Sequence, residues 1–342
     1  MVDILRKTFS ICPECMTKIP AEIYIDPTKG ENGQGWVMMK KLCKKHGEYY
    51  DKISSDPSLY KWKNSYLTNF DSHVKTLPEN IAKIPVKRGC PFDCGLCQEH
   101  QSAPNLMIID VTNRCNLNCP ICFANSNHAG RIVEYSYDEV VRIMEHFVKQ
   151  KPYIAGIAQF SGGEPTLHPR ILDILRKAKE LGFPHRMLNT NGIKMAKSLD
   201  FCKKLKEVDC GAIYLSWDAS SENSGEVYKK IRGMDLTKIK HKVIENCREV
   251  GLDGIMLVVT VAKGCNEDEV GPILEYAKEN NDVIAGVVFQ PVSLSGRIAM
   301  EELMELRYTS SDLIKEIQKV TNNAIDKFYP LDFSSKLTQL LI

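Results

Sequence analysis

Three features that often assign a protein class early are scarce in this sequence. Its 342 residues include 45 Lys and Arg against 43 Asp and Glu, and the net charge is only +2. A charge this small gives no electrostatic argument for nucleic-acid binding, and no nucleic-acid partner is expected. No run of about eighteen apolar residues occurs, so no transmembrane segment is predicted. Residues 1–10 lack the apolar core of a secretory signal peptide, and we therefore expect a cytoplasmic protein.

Cysteine, in contrast, is abundant. The chain has 13 cysteines, and nine of them fall into three groups that contain closely spaced pairs. Without a secretory signal, such spacing favours metal binding over disulfide bonds. The four dispersed cysteines are Cys202, Cys210, Cys247 and Cys265. We expect the first three to be small structural residues, whereas Cys265 follows a predicted strand and is a candidate ligand.

The central group is Cys115, Cys119 and Cys122, a C-x3-C-x2-C run. It follows an apolar segment, 106–111, that is predicted to be a buried strand. Three thiolates this close can hold an iron–sulfur cluster that normally takes four cysteine ligands. One iron would then be open to an exogenous chelator, which is a catalytic arrangement. A zinc or purely structural site is the alternative.

The first group predicts a separate metal centre near the N-terminus. Cys12 and Cys15 form one knuckle, and Cys43 and His46 form another. Two facing knuckles supply four ligands to one tetrahedral ion, and 22–25 and 36–39 are predicted to be short strands between them. Zinc is the usual ion, but iron in a rubredoxin-like site has similar geometry. Both a structural role and an electron-relay role are open.

The remaining group, Cys90, Cys94 and Cys97, repeats the C-x3-C-x2-C spacing. No strand precedes it, because a proline and charged residues interrupt the apolar pattern. We therefore assign it to an auxiliary [4Fe–4S] cluster, with zinc as the alternative. Its fourth ligand is open between His100, Cys265 and a substrate.

After residue 104 the chain alternates between apolar segments and amphipathic helical patterns. Six segments are predicted to be strands: 106–111, 157–160, 186–188, 212–215, 255–261 and 283–289. This alternation predicts parallel βαβ units in an α/β fold, arranged as a partial (β/α)6 barrel. The predicted domains are a metal knuckle (1–50), a linker with the auxiliary motif (51–103), the barrel (104–297) and a helical tail (298–342).

Polar motifs follow almost every predicted strand. They are the cluster loop, Gly162-Gly163-Glu164-Pro165, Asn189-Thr190-Asn191-Gly192, Ser216-Trp217-Asp218 and Gln290-Pro291. Because the carboxyl ends of parallel strands meet at one edge, these motifs are expected to form one site. The two glycines carry no Cβ, so we expect a ligand to approach their backbone closely.

The C-x3-C-x2-C run and the later Gly-Gly-Glu-Pro segment resemble the radical S-adenosylmethionine (SAM) enzymes over residues 104–295. The resemblance implies that Cys115, Cys119 and Cys122 bind a [4Fe–4S] cluster whose open iron chelates SAM. It also implies a 5′-deoxyadenosyl radical and an electron donor such as ferredoxin or flavodoxin. The residues expected to bind SAM are Phe123, Gly162, Gly163, Glu164, Asn191, Ser216, Asp218 and Thr260. In this family the Gly-Gly-Glu segment binds the amino group of SAM.

The layout of all three cysteine groups over residues 10–300 resembles the archaeal tetraether lipid synthases. That subfamily has also carried the label of a 7,8-dihydro-6-hydroxymethylpterin methyltransferase. The resemblance implies coupling of carbons from ether-lipid chains, several [4Fe–4S] clusters and peripheral membrane contact. Members of the subfamily are longer and have further cysteines after the barrel, whereas this sequence has none after Cys265. A pterin methyltransferase and a non-catalytic metal-knuckle binding protein are the alternatives.

Overall fold

A computed structural model describes residues 3–30, 33–65, 85–89, 93, 106–149, 156–292, 295–298 and 307–330. Contacts divide the chain into two units. The described residues up to 93 belong to the first unit together with residues 309–330, and residues 106–308 form the second. No helix in these described ranges is long and apolar enough to cross a membrane.

The first unit is built on a four-stranded antiparallel sheet with strand order β1-β2-β3-β4. Its strands are β1 (Asp3–Ile11), β2 (Lys18–Asp26), β3 (Trp36–Cys43) and β4 (Gly47–Ser54). Ile19, Ala21 and Ile23 alternate along β2 and are buried, as expected for a sheet with one covered face. The β1–β2 and β3–β4 turns lie at the same end of the sheet, and they carry the four predicted metal ligands.

Two helices complete this unit, α1 (Pro57–Ser65) and α9 (Ser310–Val320). A capping box formed by Thr309 and Asp312 begins α9. The buried hydroxyl of Ser311 lies 2.9 Å from the hydroxyl of Ser54 and accepts a hydrogen bond from the Ser55 backbone at 2.9 Å. The C-terminal tail, predicted as a separate segment, therefore packs against the end of β4.

The second unit contains six parallel strands in the order β10-β9-β8-β7-β6-β5. They are β5 (Leu106–Thr112), β6 (Ile157–Gly162), β7 (His185–Thr190), β8 (Ala212–Ser216), β9 (Ile255–Val261) and β10 (Ile284–Pro291). Each strand lies beside its neighbour in sequence, as expected for consecutive βαβ units. The predicted α/β fold, a partial (β/α)6 barrel, is confirmed.

Helices connect these strands. They are α2 (Tyr137–Val148), α3 (Ile171–Glu180), α4 (Ile193–Lys197), α5 (Leu199–Glu207), α6 (Ser224–Arg232), α7 (Thr237–Val250) and α8 (Val270–Glu279). The predicted capping box of Ser136 and Glu139 begins α2, which buries Val140 and Met144. Amphipathic helices of this kind cover one face of the sheet.

The other face of the sheet lines the interior of the partial barrel. Along β5, Met107, Ile109 and Val111 are buried, whereas Leu106, Ile108 and Asp110 are exposed. This alternation separates a face packed under helices from a face that stays open. We call the open face the lumen face. Asp110 pairs in register with Ser161 of β6, and Ile108 pairs with Gln159, so the polar side chains of β6 share it.

Candidate active site and metal centre

The four N-terminal ligands converge on one point. The ligand atoms of Cys12, Cys15, Cys43 and His46 all lie within 4.8 Å of one another. Nδ1 of His46 is 3.4 Å from Sγ of Cys12 and 3.6 Å from Sγ of Cys43, and the Cys15 and Cys43 sulfurs are 3.9 Å apart. Around a tetrahedral ion with bonds of about 2.0–2.3 Å, neighbouring ligands lie roughly 3.4–3.8 Å apart. The donor set therefore fits a single zinc-sized ion.

The surroundings of this centre favour a thiolate at Cys12. Burial raises the pKa of the Cys12 thiol, but hydrogen bonds with the backbone of Cys15 and Glu14 outweigh it and lower the pKa to about 7. Tyr49 packs against the same cysteines. Burial and the neighbouring Cys12 raise the pKa of Tyr49 to about 12, so its hydroxyl stays protonated beside the sulfur.

The second predicted centre lies in the loop after β5. Cys115, Cys119 and Cys122 all contact one apolar cluster that also contains Leu117. Asn127 fixes the loop, since its Oδ1 accepts from the Cys115 backbone at 3.1 Å and its Nδ2 donates to the Cys115 and Leu117 carbonyls, each at 3.1 Å. In an iron–sulfur cluster the thiolates of such a triad would bind different irons.

Burial opposes ionisation of two thiols of this triad, those of Cys115 and Cys119. Burial raises the pKa of Cys115 to about 11, and the neighbouring Cys119, Cys122 and Glu164 act in the same direction. Burial also raises the pKa of Cys119, although the guanidinium of Arg232 opposes this effect. Iron bound to the triad would replace the protons, because metal ligation deprotonates a thiol. The donor set therefore fits an iron–sulfur cluster.

The same loop is also fixed by an arginine that the sequence did not reveal as a site residue. It follows β10, at the opposite edge of the sheet. Arg297, after β10, donates to the carbonyls of Cys119 at 2.6 Å and of Ser126, and to Oδ1 of Asn125 at 3.2 Å. Its backbone N–H donates to the Cys122 carbonyl at 3.0 Å. Two partners therefore hold the loop in shape, Asn127 near the start of the barrel segment and Arg297 after its last strand.

The Gly-Gly pair has a structural role beside the expected contact with a ligand, which stays a prediction. A Cβ on Gly162 would lie 2.2 Å from the Thr112 carbonyl oxygen, and one on Gly163 would lie 2.2 Å from that of Arg114. The backbone N–H groups of Gly163 and Glu164 donate to these two carbonyls at 2.8 and 2.7 Å. The glycines thus let the chain before Cys115 approach the turn.

Glu164 is almost fully buried and has partners within the protein. Its Oε1 accepts from Thr166 N at 3.2 Å, from Thr166 Oγ1 at 2.5 Å and from Thr190 Oγ1 at 2.7 Å, and its Oε2 accepts from Asn191 N at 2.8 Å. The carboxylate therefore ties the turn after β6 to the end of β7. Its predicted contact with an amino group stays a prediction, for which Oε2 has the spare acceptor capacity.

Asp218 and Thr260 come together through Arg232, which the sequence analysis did not select. The carboxylate of Asp218 is fully buried and pairs bidentately with Arg232, Nε to Oδ2 at 2.6 Å and Nη2 to Oδ1 at 2.8 Å. Its Oδ1 also accepts from Thr260 N at 3.2 Å. Arg232 thus engages both carboxylate oxygens of Asp218. The predicted contact of Asp218 with a ligand stays a prediction.

A third unexpected cation, Lys240, lies next to Ser216. Lys240 is completely buried on α7, and its Nζ donates to the Asn191 carbonyl at 2.7 Å and to Ser216 Oγ at 3.0 Å. Burial lowers the pKa of Lys240 to about 7, and the charge of Arg232 acts in the same direction. A signal existed in the sequence, because Lys240 has helical spacing with the buried Val243 and Cys247.

The other predicted residues are distributed around this edge. Asn191 is buried and donates to Oδ1 of Asn116 in the cluster loop at 2.7 Å. Phe123 is 71% exposed, and Cys265 contacts the apolar cluster around the triad. Cys202, Cys210 and Cys247, which were expected to be structural residues, are all buried.

The predicted auxiliary ligands Cys90, Cys94, Cys97 and His100 lie outside the described residues. Asp93, between two of them, is described. Its Oδ2 accepts from three successive backbone N–H groups, those of Lys87 at 2.8 Å, Arg88, and Gly89 at 2.7 Å.

Comparison with protein families agrees with both centres. Residues 109–277 match the model described as the radical SAM superfamily. Residues 4–55 match the model described as the HMPTM N-terminal zinc ribbon domain. A radical SAM domain implies a [4Fe–4S] cluster and SAM, and a zinc ribbon implies the ion at the N-terminal centre.

Similar proteins carry two different names. The chain is 43% identical over 338 residues to the 7,8-dihydro-6-hydroxymethylpterin dimethyltransferase of Methanocaldococcus jannaschii, which covers 98% of this chain and 63% of that relative. It is 26% identical over 245 residues to the GTP 3′,8-cyclase of Limosilactobacillus fermentum, covering 70% of this chain and 68% of the relative. This chain therefore spans less than two thirds of the first relative.

One solved structure shares the fold at a TM-score of 0.50. It is Streptococcus suis SuiB bound to precursor peptide SuiA, which is 20% identical and covers 64% of this chain and 46% of the other. At this identity the similarity concerns the fold alone.

Proposed function

We propose that this chain, whose barrel domain belongs to the radical SAM superfamily, modifies a carbon of a polar heterocycle of the pterin class. The names of two similar proteins support a heterocyclic substrate, one a dihydropterin and the other GTP. Both compounds contain a 2-amino-4-oxopyrimidine ring. A site that recognises this ring needs hydrogen-bonding side chains, and specificity must be argued from the site itself.

The observation that best supports this substrate class is the polarity of the lumen face. Nε2 of Gln159 donates to Oδ1 of Asn189 at 2.7 Å, and Nδ2 of Asn189 donates to the hydroxyl of Ser161 at 3.3 Å. The exposed carboxylate of Asp110 lies beside Ser161 in the sheet register. Covering an unpaired carboxylate with an alkyl chain is costly, whereas the N–H groups of an aminopyrimidine edge pair with it.

The chain's own residues would hold and orient the reactants at the end of this face. Cys115, Cys119 and Cys122 would hold the [4Fe–4S] cluster. When bound, the cluster and SAM supply a 5′-deoxyadenosyl radical that abstracts hydrogen from carbon. Ser216 and Asn191 lie at the ends of β8 and β7 and would bind SAM, while Arg297 keeps the cluster loop in place. Methylation would also need a methyl donor in addition to the SAM that is cleaved.

Coupling of ether-lipid carbons is the second candidate. It is favoured by Leu106 and Ile108, which are 41% and 56% exposed on the lumen face of β5. These two side chains would suit an alkyl chain, and a lipid substrate would also bring the protein to a membrane surface. Asp110 on the same strand argues against this substrate, and we therefore rank it second.

An auxiliary [4Fe–4S] cluster at Cys90, Cys94 and Cys97 is part of the proposal. The support is Asp93, whose carboxylate gathers the N–H groups of residues 87–89 into a turn next to this motif. Such a turn fixes residues 87–89 beside the motif, and order that exists before binding lowers the entropic cost of binding. An electron donor such as ferredoxin or flavodoxin would reduce the clusters.

The deciding experiment compares substrates under anaerobic conditions. Cluster-loaded, reduced protein is given SAM with either 7,8-dihydro-6-hydroxymethylpterin or a diether lipid, and 5′-deoxyadenosine and product masses are measured. We expect the pterin to raise 5′-deoxyadenosine release and, with a second molecule of SAM as the methyl donor, to gain the mass of one CH2 unit, because a methyl group replaces a hydrogen. Stimulation by the lipid alone would favour the second candidate. No cleavage of SAM by protein with a filled cluster would contradict both.

Matched variants separate the cluster from general effects of losing a cysteine. Cys115→Ala should abolish cleavage, whereas Cys210→Ala, in a buried position before β8, should retain it. Cys94→Ala should lower iron content without removing the iron held by the first triad.

A further inference from the structure

Lys240 is a fully buried cation that the proposed chemistry has not used. It extends from α7 to the ends of β7 and β8, where its ammonium donates to the Asn191 carbonyl and to Ser216 Oγ. Its Nζ also lies 5.9 Å from the centre of the Tyr228 ring. An apolar residue would fill this position on α7 without the cost of burying an ammonium. The contacts at its tip therefore identify what the lysine contributes.

The chemistry of the two groups sets the direction of the hydrogen bond. Lys240 is protonated below its pKa of about 7. In that form it has three donors and no acceptor, so Ser216 can only accept from it. The hydroxyl hydrogen of Ser216 is then directed away from Lys240. Among the described residues, the only hydrogen bond of this hydroxyl is the one with Lys240. Ser216 is half-buried, and its side chain remains accessible at the end of β8.

We propose that Lys240 is a positioning residue that orients the Ser216 hydroxyl as a donor toward an oxygen of bound SAM. The inference rests on the proposed function, because it assumes that SAM binds at this edge. Among the described residues, Lys240 donates a hydrogen bond to no cluster ligand, and it acts through Ser216 and the Asn191 carbonyl. The same ammonium fixes the loop after β7 that carries Asn191, so two predicted SAM-binding residues depend on one buried side chain.

A double-mutant cycle on SAM affinity tests this role. Equilibrium dialysis with anaerobic, cluster-loaded protein compares wild type, Ser216→Ala, Lys240→Met and the double variant. We expect each single variant to weaken SAM binding by about tenfold, which is the effect of one hydrogen bond. The double variant should bind SAM no more weakly than Lys240→Met, because removal of the lysine already removes the positioning of Ser216.

Controls separate positioning from folding. Lys238→Met changes an exposed lysine on the same helix and should leave SAM affinity unchanged. Lys240→Gln keeps a donor at the tip and should recover part of the affinity that Lys240→Met loses. If Lys240 were purely structural, Lys240→Met would lower the melting temperature without producing this pattern of changes in SAM affinity.

Three results would overturn the proposal. They are additive losses in the double variant, unchanged affinity in Lys240→Met, and unchanged affinity in Ser216→Ala. The last of these decides the matter even if Lys240→Met does not fold. Wild-type protein that binds no SAM would contradict the proposed function itself, whereas normal wild-type binding without coupling would contradict only the role of Lys240.

Discussion

Gly163 and Arg114 lie backbone against backbone, and a methyl group on Gly163 would come within 2.2 Å of the Arg114 carbonyl oxygen. Arg114 directly precedes Cys115, the first cluster ligand. The neighbouring Glu164 N–H donates to the same carbonyl at 2.7 Å, so the turn after β6 and the cluster loop form one rigid contact. A change at Gly163 should therefore act on the cluster.

Gly163→Ala is expected to reduce cluster assembly. Backbone contacts cannot relax by rotating a side chain, so the loop that carries Cys115 must move. Iron and sulfide per chain after anaerobic reconstitution, with the visible absorbance of the cluster, measure the effect. Gly211→Ala is the control, since its Cβ would meet only ordinary contacts, the closest at 3.4 Å. Equal iron content in both variants would show that the loop tolerates the displacement.

The ion pair of Asp218 and Arg232 predicts a large and non-additive effect on stability. Removing either partner alone leaves a buried charge unpaired, which costs about 3–5 kcal/mol. We expect Arg232→Met and Asp218→Asn each to lower the free energy of unfolding by this amount. The combined variant should lose much less than the sum, because no unpaired charge remains.

Denaturant unfolding measures these losses, and an exposed pair provides the comparison. Arg170 pairs with Asp173 on the surface of α3. Arg170→Met should change the free energy of unfolding by less than about 1 kcal/mol, as is usual for solvated pairs. Similar losses for Arg170→Met and Arg232→Met would contradict the buried character of the inner pair.

The architecture could be predicted from the sequence in those segments where a single pattern of apolar residues dominates. The apolar run 255–261 coincides with β9 (Ile255–Val261), and every predicted barrel strand has its counterpart. The N-terminal sheet was only partly predicted. β1 (Asp3–Ile11) has no clear alternation, because most of its residues are exposed, and antiparallel pairing with β2 forms it.

The cysteine ligands could be predicted because their chemistry is local, whereas the cations around them could not. Arg232, Lys240 and Arg297 lie far along the chain from the residues they contact. Their roles depend on which strand ends become neighbours, and spacing does not encode this. The Gly-Gly pair shows a further role that its motif does not reveal, while the predicted approach of a ligand stays a prediction. The fold needs the missing Cβ atoms for its own backbone.

Lys240 gives a pH dependence with a definite sign. Its pKa falls from an ordinary 10.5 to about 7 in the folded protein, first because of burial. Between pH 7 and 10.5 the unfolded chain therefore binds more protons at this residue than the folded chain does. The contribution of Lys240 to the free energy of unfolding therefore rises with pH across that window and is constant below pH 7.

The comparison of wild type with Lys240→Met isolates this effect, since all other groups titrate in both proteins. Melting temperatures of anaerobic, cluster-loaded protein should show wild type gaining on the variant between pH 7 and pH 9. Lys238→Met, at an exposed position, should follow wild type throughout. A constant difference across this window would mean that the folded protein does not depress the pKa of Lys240.

Removal of the ribbon ion should unfold the N-terminal sheet. The apolar cluster around the centre is small and consists of Cys12, Ile19 and Cys43 with Cys15 and Tyr49 against it. Because the apolar cluster at this end of the sheet is so small, metal ligation must contribute much of the free energy that orders it. We expect His46→Ala to lower the zinc content and to make residues 3–54 sensitive to limited proteolysis. His46→Cys should retain zinc, since four thiolates also form a tetrahedral site. Resistance of metal-free His46→Ala to proteolysis would show that the sheet folds on its hydrogen bonds and apolar contacts alone.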